Sequence, residues 1–121
     1  MSSTGKFEAE IAPLLLNFNN ETEIIPAIAQ DFVSKEVLML AWMNREALKL
    51  TAATGTATYW SRSRNAIWVK GATSGHTQEV QELKFDCDAD AVLLLVKQIG
   101  VACHSGERSC FHNPIDLKEK S

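Results

Sequence analysis

Between Tyr59 and His76 the chain places Arg62, Arg64 and Lys70 with no acidic residue, although fifteen Asp and Glu outnumber twelve Lys and Arg overall. Guanidinium forks interleaved with Ser61 and Ser63 are the donors a phosphate group needs, and Ser74 adds another hydroxyl. Gly71 and Gly75 let backbone N–H groups approach an anion closely, with His76 directly after them. Trp60 and Trp68 offer faces on which a base could stack. The competing reading is a solvated hairpin with its tryptophans in the core, and the pattern leaves both open.

The run Phe85-Asp86-Cys87-Asp88-Ala89-Asp90 sets carboxylates at alternate positions. In an extended strand side chains alternate faces, so Asp86, Asp88 and Asp90 are expected on one side and Cys87 on the other. A hard divalent cation, magnesium or calcium, would relieve the repulsion among them. An EF-hand also begins Asp-x-Asp-x-Asp, but it needs Gly sixth and Glu twelfth, where this chain has Ala91 and Lys97. A charged surface turn is the alternative.

The third cluster runs from Ala102 to His112. Cys103 and Cys110 flank a turn at Gly106, and with Cys87 they make three soft ligands. A closed structural zinc site needs a fourth Cys or His, whereas three protein ligands leave one position for water, the catalytic arrangement. His104 or His112 could instead complete a structural site. The spacing matches no standard zinc finger, and thiols that merely pack in a core remain the alternative.

Short elements must carry these clusters. Ile28 to Phe32 and Glu36 to Trp42 read as a hairpin turning at Val33-Ser34-Lys35. Asn44 is a good N-cap for a helix over Arg45 to Thr54, and Gly55 sits at its C′ position. Thr56 to Arg62 and Ile67 to Lys70 form a second strand pair turning at Arg64-Asn65. Glu79 to Cys87 is a further strand, in which Val80, Leu83 and Phe85 alternate imperfectly with polar residues. Ala91 to Val96 fits a buried strand or a helix turn equally. Ahead of these, Ala12 to Leu16 is a short amphipathic piece in what reads as a docking arm without chemistry. The expected architecture is α+β, with mainly antiparallel strands and a few short helices in one compact domain.

Composition narrows the class. At 121 residues, 45% hydrophobic and 22% charged, the chain has the size and texture of one globular domain. A net charge of −3 argues against a general nucleic-acid binder. No apolar run, Ala91 to Val96 among them, approaches the roughly 20 residues that cross a bilayer. No apolar stretch follows Met1 to Lys6, and an odd cysteine count does not suit a secreted disulfide framework. A cytoplasmic location is expected.

The motifs Tyr59-Trp60-Ser61-Arg62-Ser63-Arg64, Trp68-Val69-Lys70-Gly71, Ser74-Gly75-His76-Thr77-Gln78, Phe85-Asp86-Cys87-Asp88-Ala89-Asp90, Ala102-Cys103-His104-Ser105-Gly106 and Ser109-Cys110-Phe111 closely resemble the phosphoribosyl-AMP cyclohydrolase family. That family carries out the third step of histidine biosynthesis. The resemblance runs from about Pro26 to Phe111, with an N-terminal arm (1–25), the cyclohydrolase domain (26–112) and a C-terminal tail (113–121). One departure is Ala72, where the family usually has Glu. No pyrophosphohydrolase-like region follows, which suits the monofunctional form.

The resemblance implies an intertwined cytoplasmic homodimer with metal sites at its interface. It also implies one zinc per subunit on Cys87, Cys103 and Cys110, with ligands drawn from both subunits, and magnesium on Asp86, Asp88 and Asp90. Zinc would lower the pKa of a bound water toward about 7. The resulting hydroxide would attack C6 of N1-(5-phosphoribosyl)-AMP and open the N1–C6 bond, giving the phosphoribosyl-formimino-AICAR ribotide. His104 is the expected proton carrier. Trp60, Ser61, Arg62, Ser63, Arg64, Lys70, Ser74 and His76 are expected to hold this small-molecule substrate, with no nucleic-acid or membrane partner.

Two other readings are weighed. A zinc adenine-nucleotide deaminase would show His-x-Glu with Pro-Cys-x-x-Cys, and this chain has neither. A non-catalytic zinc-stabilised module binding RNA through the Tyr59 to Lys70 hairpin would have a saturated four-ligand site and steeply salt-dependent binding, which the net charge disfavours.

Overall fold

A computed structural model describes residues 11–117. The first ten residues of the arm and the last four of the tail lie outside the described residues. In chain order the elements are α1 (Ala12–Leu16), β1 (Ile25–Asp31), β2 (Val37–Met43), α2 (Arg45–Thr54), β3 (Thr58–Ser61), β4 (Ala66–Val69), β5 (Gln78–Phe85) and β6 (Val92–Gln98). The mainly antiparallel α+β expectation holds, with one parallel contact added.

The main sheet has the order β2-β1-β6-β5. The β1–β2 and β5–β6 pairs are antiparallel, while β1 and β6 run parallel, Ala27 opposite Val92 through Asp31 opposite Val96. The ambiguous run at Ala91 to Val96 is therefore the strand β6. Burial against both neighbours explains its unbroken apolar character: Val92, Leu94, Leu95 and Val96 are all buried. The imperfect alternation in β5 has a cause as well, a register shift between Val80 and Glu82 that spaces its inward residues unevenly.

One face of this sheet packs the core, where Ala27, Ala29, Met39, Met43, Val92 and Leu94 meet Ala47, Leu48 and Ala52 of α2. Leu48 is fully buried, so its truncation to Ala would cost about 2–5 kcal/mol. Strand pairing puts Pro26, Ile28, Leu40, Trp42 and Leu93 on the opposite face, where none is fully covered and Leu40 is 46% exposed.

The helix boundaries follow their signals. The Asn44 side chain accepts the Ala47 N–H at 2.8 Å, and Gly55 takes the left-handed conformation at φ 79°. Thr51 ties α2 to β3 by accepting the Thr58 N–H at 2.9 Å. Strands β3 and β4 make a separate hairpin, linked to β5 through a bridge between Thr56 and Glu79. The segment expected as a docking arm is bound in place, because Ile11, Leu14 and Phe18 are buried in the core.

The strand expected to run through Cys87 stops at Phe85. Residues beyond it form a turn in which Ala89 adopts φ 57°. Asp86, Asp88 and Asp90 therefore do not alternate with Cys87 along a strand. The Asp86 side chain instead accepts the Asp90 N–H at 3.0 Å, a local bond that competes successfully with ladder pairing.

Candidate active site

After β6 the chain turns and folds into a hairpin carrying two of the three cysteines. Its arms are joined by Ala102 N–H to Arg108 C=O at 3.0 Å and Cys103 N–H to Glu107 C=O at 3.1 Å. The Ser109 hydroxyl donates to the Val37 carbonyl at 2.7 Å, and the Cys110 N–H donates to the Leu38 carbonyl at the same distance. Arg108 adds ion pairs to Asp31 and Glu36 at 2.9 and 2.7 Å. The hairpin is thus fixed to the β1–β2 end of the main sheet.

Within it the Cys103 sulfur lies 2.9 Å from the Ser105 hydroxyl and 4.0 Å from His112 Nε2. Hydrogen bonds from the Ser105 side chain and backbone, helped by His112 and Cys110, pull the Cys103 thiol down to about 6. Burial pushes the neighbouring Cys110 thiol up, against a downward pull from Lys70. At neutral pH the pair therefore offers one thiolate and one thiol at one place. His104 is exposed next to Cys103.

A cleft of about 790 Å³ opens beside this hairpin and brings together Arg64, Lys70, Ser74, His76, Cys103 and His104. His76 Nδ1 lies 3.2 Å from the Val101 N–H and 3.3 Å from the Val101 carbonyl, which hold the ring in place. Two glycines confine this residue. A Cβ on Gly71 would lie 2.5 Å from the His76 backbone, and one on Gly100 would lie 2.8 Å from its ring. Ala72, at the family's usual Glu position, is exposed on the cleft wall.

A second, shallower cleft of about 540 Å³ holds Trp42, Trp60, Ser61, Arg62, Ser63 and Arg64. The Arg62 guanidinium stacks 4.6 Å from the centre of the Trp42 ring. Arg64 and Trp68 line both clefts. The Ser61 hydroxyl accepts the Arg64 N–H at 3.2 Å, shaping the turn. Trp68 packs at 5.5 Å against Tyr59, whose ring is buried and whose hydroxyl donates to Gln78 at 2.6 Å.

Lys70 lines the larger cleft, yet it is only 7% exposed and its ammonium donates to the Ala102 carbonyl at 2.9 Å. Burial pushes its pKa down, while the nearby Cys110 and Cys103 thiols pull it back up.

The aspartate turn joins β5 to β6. Asp86 is held below the usual carboxylate range by the Asp90 N–H and other backbone donors. Asp90 is held above it, chiefly by its hydrogen bond with Asp86, with added repulsion from Asp86 and Asp88. Asn17, just after α1, donates to the Asp88 and Ala89 carbonyls at 2.9 and 2.7 Å. Cys87 is exposed in this turn.

Cys87 precedes β6 and Cys103 follows it. A seven-residue strand is about 20 Å long, so the two lie at opposite ends of the sheet. Among the described residues no three Cys, His, Asp or Glu side chains converge on a metal-sized space. Donor chemistry still fits the expected ions: the Cys103–Cys110 pair is soft and partly ionised, and the aspartate turn presents hard oxygens. One chain thus supplies two soft donors at one end and a third, with the oxygens, at the other.

Several residues near these groups went unmarked in the sequence. Ser105 could have been found, since a hydroxyl two residues after a turn cysteine commonly bonds back. Trp42 ends an apolar strand and looks like core until the fold sets Arg62 on it. Asn17 has no local signal, because its partners are more than 70 residues away.

Comparison with known proteins agrees with these features. Residues 39–112 match the family described as phosphoribosyl-AMP cyclohydrolase. A protein of that name from Trichormus variabilis is 57% identical over 88% of this chain and 91% of its own length. Others so named are similar: from Hyphomonas neptunium, 59% identical over 93% of this chain and 86% of the relative, and from Methanosarcina mazei, 58% over 83% of each. With its motifs, its paired cysteines and its arginine-lined clefts all inside the shared span, the chain belongs to the phosphoribosyl-AMP cyclohydrolase family, enzymes of histidine biosynthesis.

Proposed function

We propose that this chain opens the purine ring of N1-(5-phosphoribosyl)-AMP by hydrolysis of the N1–C6 bond, at the cleft beside the cysteine hairpin. The observation that carries this reading is that one cleft holds a thiolate-forming cysteine, two imidazoles, an arginine and a serine hydroxyl. Alkylation of N1 makes C6 electrophilic. A water oxygen bonds to C6, N1 departs with a proton, and C6 with its amino group becomes a carboxamide. Cys103, Cys110 and a third thiol would hold zinc, which when bound would supply Lewis acidity to activate water. His104, next to Cys103 and open to the cleft, takes the water's proton and returns it at N1. His76, held by Val101 on the wall of the same cleft, contacts the substrate.

Arg62 and Arg64, with Ser61, Ser63 and Ser74, hold the phosphates by paired N–H and O–H donors. Trp42 keeps the Arg62 guanidinium flat and spread for this task, and Trp60 lies beside it for the purine. Asp86, Asp88 and Asp90 would hold magnesium, which when bound would supply positive charge to offset that of a phosphate.

The working unit is a cytoplasmic homodimer with one zinc per subunit, its third thiol being Cys87 of the partner subunit. The separation of Cys87 from Cys103 along β6 supports this, as does the uncovered apolar face carrying Leu40 and Trp42. Among the described residues no helix is long and apolar enough to cross a membrane.

Ultraviolet monitoring of phosphoribosyl-AMP with the purified, zinc-loaded protein tests the reaction. Loss of the purine chromophore without ammonia release is expected; ammonia release or an unchanged spectrum would reject ring opening. Mixing Cys87→Ala with Cys103→Ala chains tests the shared site. Random pairing of subunits restores about a quarter of the wild-type sites, whereas ligands confined to one chain would restore none.

A further inference from the structure

The geometry points to Lys70 as a positioning residue that supplies the buried positive charge for the Cys103–Cys110 pair, and not as a ligand for substrate phosphate. This rests on the zinc reading above. Three observations combine. Lys70, directly after β4, is almost completely buried although it lines the larger cleft. Its Nζ donates to the carbonyl of Ala102, the residue before Cys103, at 2.9 Å. Among the described residues it makes no ion pair with a carboxylate, and it shares the cleft wall with Cys103.

A buried ammonium is tolerated when an anion compensates it. Here the available anion is thiolate. The relation is reciprocal: sulfur that has given up its proton to bind a divalent ion carries negative charge, and Lys70 offsets the excess from behind. The bond to Ala102 also fixes the hairpin backbone at the point where Cys103 leaves it. Trp68 covers the ammonium from the other side, 5.7 Å from its ring centre. An outer-shell partner of this kind sets ligand orientation and metal affinity without touching the metal.

The test compares Lys70→Met and Lys70→Arg in the full chain. Methionine keeps the apolar stem and removes the charge, so the metal-free protein should melt no lower than wild type. Zinc affinity, read by competition with a chromogenic chelator, should fall about 10–100-fold in Lys70→Met. Cobalt binding should show the same loss in its thiolate absorption. Lys70→Arg, which keeps a cation and a donor, should recover most of the affinity. At saturating zinc, KM for phosphoribosyl-AMP should stay within about twofold of wild type.

Unchanged zinc affinity in Lys70→Met with a KM raised tenfold or more would return Lys70 to the phosphate and overturn the inference. Equal losses in both variants would assign the effect to packing and overturn it too. Wild-type zinc affinity in Cys103→Ala would remove the thiol site itself, and the role of Lys70 with it; wild-type affinity in Lys70→Met alone removes only that role.

Discussion

The cysteine hairpin and the aspartate turn sit at opposite ends of β6, and they are held in different ways. The hairpin has its own cross-arm bonds, is fastened to β2 by Ser109 and Cys110 and to Asp31 by its own Arg108, and is held from outside by Lys70. Its sulfurs are buried or half-buried. The aspartate turn is exposed, shaped by the Asp86 side chain and steadied by Asn17. One region is a rigid, partly desolvated frame for soft donors. The other is a solvent-facing loop for hard ones. This suits the ions each would take, since thiolate sites gain from burial whereas magnesium keeps much of its water.

The deepest break in this contrast is Cys103→Ala. It should abolish zinc content and ring opening together while leaving the magnesium response of the other end untouched; retained turnover would remove zinc from the mechanism. Next comes Asp88→Asn, which should raise the magnesium requirement on the order of tenfold by removing one ligand charge. Zinc content measured on the same sample should not change, and an unchanged magnesium response would reject the aspartate site.

A gentler probe uses the chemistry of the thiols themselves. The thiolate is the reactive form, so alkylation of Cys103 in the metal-free protein should rise with pH through about 6 and level off above it. Cys110, held above its ordinary value of 9 by burial, should stay protected at neutral pH. Peptide mass spectrometry of iodoacetamide-treated protein reads both sites. Equal labelling of the two at pH 7 would show that the hairpin does not differentiate them.

The smallest effect is expected from Asn17→Ala. Losing two exposed bonds should cost about 0.5–1.5 kcal/mol or less. Hydrogen exchange at the Asp90 amide should quicken, with the Cys103 amide unchanged. Equal acceleration at both would mean that the two ends are not mechanically separate.

What was legible in the sequence divides along similar lines. The helix at Arg45 to Thr54 was readable in full, because Asn44 and Gly55 act on backbone groups within one turn of themselves. The two hairpins were readable for the same reason. The order β2-β1-β6-β5 was not, since β1 meets β6 across more than 60 intervening residues and no local pattern records that pairing. The cysteine and aspartate motifs stood out by composition, but their shapes did not. Strand alternation misplaced the aspartates because Asp86 can satisfy the backbone of its own turn. The burial of Lys70 was hidden as well: a lysine between Val69 and Gly71 looks solvent-facing until the hairpin carrying Cys103 closes over it.

The bonds between Asn17 and the aspartate turn span 71 and 72 residues, Arg108 reaches Asp31 across 77, and Ser109 reaches Val37 across 72. Each loop is local, yet what fixes it is remote. During synthesis the hairpin cannot settle until the residues after β6 have been made, and the parallel seam between β1 and β6 also closes late. The hairpin is therefore one of the last parts of the molecule to take shape. A zinc finger folds around its metal; in the zinc site proposed here, metal uptake would instead report that folding had already finished, and zinc stoichiometry would then measure the correctly folded fraction of a preparation.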